Sequence, residues 1–209
     1  MKIFVTGIST DCGKTIASAI LVEALEADYW KPVQAGDLQS SDSIKVGKLI
    51  SNSKSHIHPE GYRLNTAASP HYAAEVDGIK IRISNIREPE TLNHLVIEGA
   101  GGVLVPLNDV ETIIDLIKAD YETIIVSRHY LGSINHTLLT VEALRNRNIN
   151  IAGIIFNGNN PASEEVILKM SGLACIGRID DEPYFDQNVI REYATAFSDI
   201  LNSKFKIHN

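Results

Sequence analysis

Residues 7–15 read Gly-Ile-Ser-Thr-Asp-Cys-Gly-Lys-Thr and lie between a short apolar run, 2–6, and a helical pattern. This strand–loop–helix order constrains the chain more than any other segment. A glycine-framed loop leading into a helix turns successive backbone N–H groups and the helix N-terminus toward one point, which suits a polyphosphate. Lys14 supplies a point charge for the β and γ oxygens, and Thr15 a hydroxyl for Mg²⁺. The glycine spacing is one residue longer than in the common GxxxxGK pattern. The bland alternative is a tight turn whose threonine starts a helix. Cys12 reads as a small residue packed in the loop rather than as a redox thiol.

The rest of the chain alternates in the same way. Ile16, Ala19, Ile20, Leu21, Ala24 and Leu25 recur at helical spacing within 15–27. A strand is expected over 29–33, with Pro32 at its end, and a helix over 42–51. Residues 52–70 are polar and read as a connection. A strand over 94–98 runs into the glycine-rich turn 99–102. Then follow a helix (111–118), a strand (122–127), a helix (133–147), a strand (150–156), a helix (163–171), a strand (173–179) and a helix (186–203). Such alternation predicts an α/β fold: one domain, 1–209, with a mostly parallel sheet and helices on both faces. Ligands of such sheets sit at the carboxyl ends of the strands. The chemically unusual segments 7–15, 31–36, 98–102, 127–135 and 157 all follow expected strands, so they are expected on one rim.

The charge balance narrows the partners. The 209 residues carry 19 Lys and Arg against 26 Asp and Glu, a net charge of −7. That argues against a general nucleic-acid binder and leaves room for a local cationic pocket holding a small anion. No apolar run is long enough for a membrane span, and the first residues read as a strand rather than a signal peptide. Cys12 and Cys175 give neither a disulfide framework nor a CxxC metal pattern, so a reduced, cytoplasmic setting is expected.

Three further residues carry candidate chemistry. Glu98 ends an apolar strand on the expected rim, where a carboxylate is costly unless paired. Asp42 stands at a helix start, with Asp37 five residues before it; it reads equally as a metal ligand and as an N-cap. Lys31 reads as a charge for an anionic substrate or as a snorkelling lysine. The seven histidines form no HExxH pattern. His56 and His58 read as loop residues, and His136 as a residue that holds its turn.

Taken in order, GISTDCGKT (7–15), KPVQAG (31–36), SD (41–42), ASPHYAA (68–74), EGAGGVLVP (98–106), LGSINHTLLT (131–140) and GIIFNGN (153–159) resemble the dethiobiotin synthetase family. The resemblance spans most of the chain and implies a P-loop NTPase fold. It implies an enzyme that uses ATP and Mg²⁺ to close a cyclic urea from 7,8-diaminopelargonic acid and CO₂, by way of a carbamate and a carbamic–phosphoric anhydride. Residue by residue, it implies catalytic roles for Lys14 and Lys31, and nucleotide contacts from Asp11, Cys12, Gly13, Lys14, Thr15 and Asn157. Mg²⁺ would be held by Thr15, Asp42 and Glu98. Thr10, Lys31 and Ala35 would face substrate. Ser133 and Asn135 would bind the substrate's carboxylate from the neighbouring subunit of a homodimer.

The chain departs from the family pattern in four places. Asp11 stands where Glu is common. Ala35 stands where relatives carry a hydroxyl, so one substrate hydrogen bond is lost or supplied by Gln34. Arg128-His129-Tyr130 replaces a Lys-bearing segment, and Asp180-Asp181 replaces a proline-bearing turn near the base. The competing readings are a cobyrinic acid amide synthase-like amidoligase and a ParA/MinD-like switch. For the switch, the mildly basic end, 201–209, would be a weak membrane tail.

Overall fold

A computed structural model describes residues 1–206; His208 and the rest of 207–209 lie outside the described residues. Six strands form one parallel sheet. They are β1 (Lys2–Gly7), β2 (Asp28–Trp30), β5 (Leu95–Gly102), β6 (Tyr121–Arg128), β7 (Ile151–Asn157) and β8 (Cys175–Ile179), in the order β2-β5-β1-β6-β7-β8. The helices are α1 (Lys14–Leu25), α2 (Asp42–Leu49), α3 (Pro70–Val76), α4 (Ser133–Asn146), α5 (Pro161–Ser171) and α6 (Gln187–Phe205). A second small parallel pair joins β3 (Val33–Ala35) to β4 (Tyr62–Leu64).

The central strands are mostly apolar because both their faces are covered. On β1, Ile3 and Val5 point into the larger of two buried clusters, with Ile20 and Leu21 of α1 and Leu201 of α6. Phe4 points the other way, into a cluster with Trp30, Leu64, Ala73 and Ile113. Among the described residues, no helix is long and apolar enough to cross a membrane.

Four expectations are corrected. The strand expected over 29–33 is two strands, broken at Lys31-Pro32, because proline has no N–H to give a ladder. The strand ending at Glu98 continues through the glycines to Gly102, which pairs with Gly7 past a bulge. Residues 111–118 hold only a 3₁₀ turn, Ile113–Leu116. The connection 52–70 contains β4, and α3 begins at its end.

Candidate active site

The phosphate loop leaves β1 at Gly7 and enters α1 after Gly13. Side chains are excluded at both glycines. A Cβ on Gly7 would lie 2.2 Å from Cys12 Sγ, and one on Gly13, whose φ is +96°, would lie 2.3 Å from Asn157 Nδ2. Cys12 is 1% exposed and so is packing, as read from the sequence. Asn157, at the end of β7, donates to the Cys12 carbonyl at 3.0 Å, and the Arg128 guanidinium donates to the Asp11 carbonyl at 3.2 Å. Strands β6 and β7 thus brace the loop from the side. The Lys14 ammonium donates to Ser9 O at 3.0 Å.

Beside the loop, four predicted residues meet in one hydrogen-bonded cluster. Thr15 Oγ1 donates to Glu98 Oε1 at 3.1 Å. The Lys31 ammonium bridges the carboxylates, donating to Glu98 Oε1 at 3.0 Å and to Asp42 Oδ2. Glu98 arrives on β5, and Lys31 from the break after β2. Asp42 is the first residue of α2, and the N-cap there is Ser41, whose hydroxyl accepts from Ile44 N. With the cap supplied by Ser41, the Asp42 carboxylate is left to face Lys31.

Burial pushes the Asp42 carboxyl up, but Lys31 and Lys45 outweigh it and hold it below the usual carboxylate range. Burial likewise pushes Lys31 down, and Glu98 and Asp42 reverse this, so its ammonium is held charged. The Tyr29 phenol donates to the other oxygen, Glu98 Oε2, at 2.9 Å. Burial and the adjacent carboxylates push that phenol well above its ordinary range.

These groups open onto a cavity of about 1190 Å³. Its floor holds Lys14, Thr15, Lys31, Asp42 and Glu98. Thr10, Asp11, Ala35, Ala100, Val105, Ile16, Lys48, Leu49 and Phe185 to Asn188 are among the other lining residues. The lining charges balance: Lys14, Lys31, Lys45 and Lys48 against Asp11, Asp42, Glu98 and Asp186. The donor set suits Mg²⁺, which takes hard oxygen ligands from one or two carboxylates and shares the rest of its shell with phosphate and water. Among the described residues no group of three or more His, Cys, Asp or Glu could form an all-protein cage.

Other expected site residues stand apart. Asn157 and Cys12 do not line the cavity. Ser133 is 2% exposed at the start of α4, whereas Asn135, two residues on, is exposed, and neither lines the cavity of its own chain. Gln34, next to Ala35, lines the cavity. Its nitrogen donates to Gly36 O and its oxygen accepts from Asp42 N. His136 bonds Tyr130 OH at 2.7 Å, holding its turn, and His58 bonds Asp28 in a loop beside β2.

The sequence reading missed two features. The wall Phe185–Asn188 is fixed by Gln187, which donates to the carbonyls of Lys48 and Ile50 at the end of α2. The turn at Asp180-Asp181 is fixed by the Tyr193 hydroxyl, which donates to Glu182 and accepts from Asp180 N. Nothing in the local pattern announces either, because both are contacts over long sequence separations or to a helix's outer turn.

Comparison with known proteins bears on the fold and the family. The AAA domain family model matches residues 1–189. The solved structure of the cell division ATPase MinD from Pyrococcus furiosus has a TM-score of 0.59 at 10% identity, covering 95% of this chain and 99% of that one. MinD from Pyrococcus horikoshii, complexed with Mg-ADP, has a TM-score of 0.55 at 14% identity, covering 99% and 100%. At such identities the likeness shows the fold alone, a parallel-sheet P-loop NTPase.

Sequence relatives go further. The ATP-dependent dethiobiotin synthetase BioD of Christiangramia forsetii is 58% identical over 93% of this chain and 94% of its own length. That of Cytophaga hutchinsonii is 51% identical over 95% and 97%, and that of Chlamydia pneumoniae 43% identical over 97% and 91%. With its phosphate loop and its buried Lys31–Asp42–Glu98 cluster on one rim, the chain belongs to the ATP-dependent dethiobiotin synthetase family.

Proposed function

We propose that this chain is a single-domain, ATP-dependent cyclo-ligase that closes the ureido ring of dethiobiotin from 7,8-diaminopelargonic acid and CO₂, with ADP and phosphate as the other products. The observation that carries the reading is the convergence of Lys14, Thr15, Lys31, Asp42 and Glu98 on one cavity floor beside the phosphate loop. An uncharged amine adds to CO₂ without covalent help from the protein. The resulting carbamate oxygen attacks the γ-phosphate, and ADP leaves. The second amine then attacks the carbonyl carbon of the mixed anhydride, and phosphate leaves.

The chain's work is positioning and charge neutralisation. The loop's N–H groups and the α1 N-terminus hold the phosphates, and Lys14 neutralises charge on the transferred group. Lys31 faces the carbamate. Asp11, Cys12 and Gly13 shape the loop against the nucleotide, and Asn157 joins the base side. Thr10 and the small Ala35 leave room for the diamine. Thr15, Asp42 and Glu98 would hold Mg²⁺, which when bound neutralises phosphate charge. No Cys nucleophile, Ser–His pair or zinc is called for.

The exposed Asn135 and the adjoining turn supply the carboxylate site of a partner chain in a homodimer. The buried Ser133 would contribute there through its hydroxyl, since its backbone N–H is already donated to Tyr130 O at 3.0 Å. The setting is the cytoplasm. The test is ADP release by purified protein. It should depend on both the diamine and bicarbonate; release at the same rate without the diamine would remove the reading.

A further inference from the structure

Tyr29 is buried in the middle of β2, fully out of solvent. Strand β2 pairs with β5 in the register Tyr29↔Val96 and Trp30↔Ile97. Side chains at alternate positions share a face, so Tyr29 lies on the same face as Val96 and Glu98. Trp30 points into the opposite cluster. From its place opposite Val96 the phenol runs along β5 and ends on Glu98 Oε2, 2.9 Å away. The other oxygen, Oε1, receives Thr15 Oγ1 and the Lys31 ammonium. Glu98 is 1% exposed, so its orientation is set by these three donors.

We propose that Tyr29 is a positioning residue of the nucleotide site: its hydroxyl pins Glu98 Oε2 so that Oε1 stays turned toward Thr15 and the cavity floor. The inference rests on the reading of Glu98 as the cation-side carboxylate. Tyr29 does not line the cavity and acts only through Glu98. A neutral donor is suited to this. It fixes one oxygen without cancelling the charge that a cation needs, whereas a second lysine would cancel it. Without the hydroxyl, the buried Oε2 lacks a partner, and the carboxylate turns to share the Lys31 and Thr15 donors between its two oxygens. Loss of a partner that orients a ligand in this way typically costs about 10–100-fold in metal affinity.

The experiment compares wild type, Tyr29→Phe and Glu98→Gln by calorimetric titration with the non-hydrolysable β,γ-imido analogue of ATP across a range of Mg²⁺ concentrations, with no turnover. Tyr29→Phe keeps the ring and its packing. It should bind the analogue as wild type does without Mg²⁺, and should need about 10-fold more Mg²⁺ for half of the Mg²⁺-dependent gain. A Tyr29→Phe curve that overlies wild type while Glu98→Gln is shifted would overturn the positioning role alone. If Glu98→Gln also overlies wild type, the metal reading of Glu98 falls, and the inference with it. A Tyr29→Phe chain that does not fold, judged by circular dichroism, would assign the hydroxyl to stability and likewise overturn it.

Discussion

Replacing Lys31 by methionine removes a charge but little volume, and so isolates what the ammonium does in the buried cluster. The side chains involved are 5% (Lys31), 1% (Glu98) and 21% (Asp42) exposed. At the 3.0 Å separation from Glu98, the Coulomb attraction at an effective dielectric near 20 is about 5 kcal/mol. Desolvation of both ions offsets much of this, so the pair adds little against an apolar equivalent. Removing one partner is different. Glu98 would then have no cation beside it and Asp42 only the half-exposed Lys45, 3.7 Å away, and a broken buried pair costs about 3–5 kcal/mol. Tyr29 and Thr15 still donate to Glu98 and Asp42 keeps some solvent, so the lower end, about 3 kcal/mol, is expected. Urea unfolding in EDTA at neutral pH measures it. The double variant Lys31→Met/Glu98→Gln removes the orphaned charge and should regain about 2 kcal/mol relative to additivity. A single-variant loss under about 1 kcal/mol, or a double variant that is merely additive, would refute the reasoning.

Three further outcomes are expected. Lys14→Ala should fold normally and lose about 10²–10³-fold in turnover, since one charge contact to the transition state is gone; near-normal turnover would remove the phosphate-loop assignment. Gly177→Ala should destabilise by about 1–3 kcal/mol in thermal or urea unfolding, the range for overpacking, because its Cβ would lie 2.2 Å from the Phe197 ring. Glu88 is pushed up by burial, but Lys118, Lys2 and Tyr121 outweigh this and bring it from 4.5 to about 2. Its contribution is therefore fully present above pH 4.5 and lost as pH falls toward 2. Lys2 and Lys118 are 36% and 55% exposed, so screening reduces it to about 1 kcal/mol; Glu88→Gln should lose that amount at pH 7 and flatten the acid limb of the stability curve.

The layered fold was legible because periodicity reports burial, and here most elements are buried on one or both faces. Strands β1, β6 and β7 each contain an apolar run, and α1 shows its buried residues at helical spacing. What was illegible follows from physics that operates across the chain. β3 and β4 are three residues each, too short to show a period, and exist because each supplies the other's ladder. The 3₁₀ turn at Ile113–Leu116 carries the same apolar residues as a helix but is tied to the strand end by Ile113 N→Val105 O and Ile114 N→Val103 O.

At the site, Glu98 stood out because a carboxylate ending an apolar strand needs a partner, and Lys31, read as an anion-facing or snorkelling lysine, proves to be that partner and Asp42's as well. Tyr29 did not stand out, since an aromatic in a strand reads as core. Only its register beside β5 reveals that its hydroxyl ends on Glu98. Asp42 likewise read equally as a metal ligand and as an N-cap until the structure gave the cap to Ser41.

The central claim is that a carbamate oxygen, drawn from CO₂, attacks the γ-phosphate and later departs with it. Single-turnover reaction with ¹⁸O-labelled CO₂, quenched before exchange with water, and mass analysis of the released phosphate test this directly. The account predicts one heavy oxygen in each inorganic phosphate formed and a labelled ureido carbonyl in the product. Phosphate released without label, alongside labelled dethiobiotin, would contradict it.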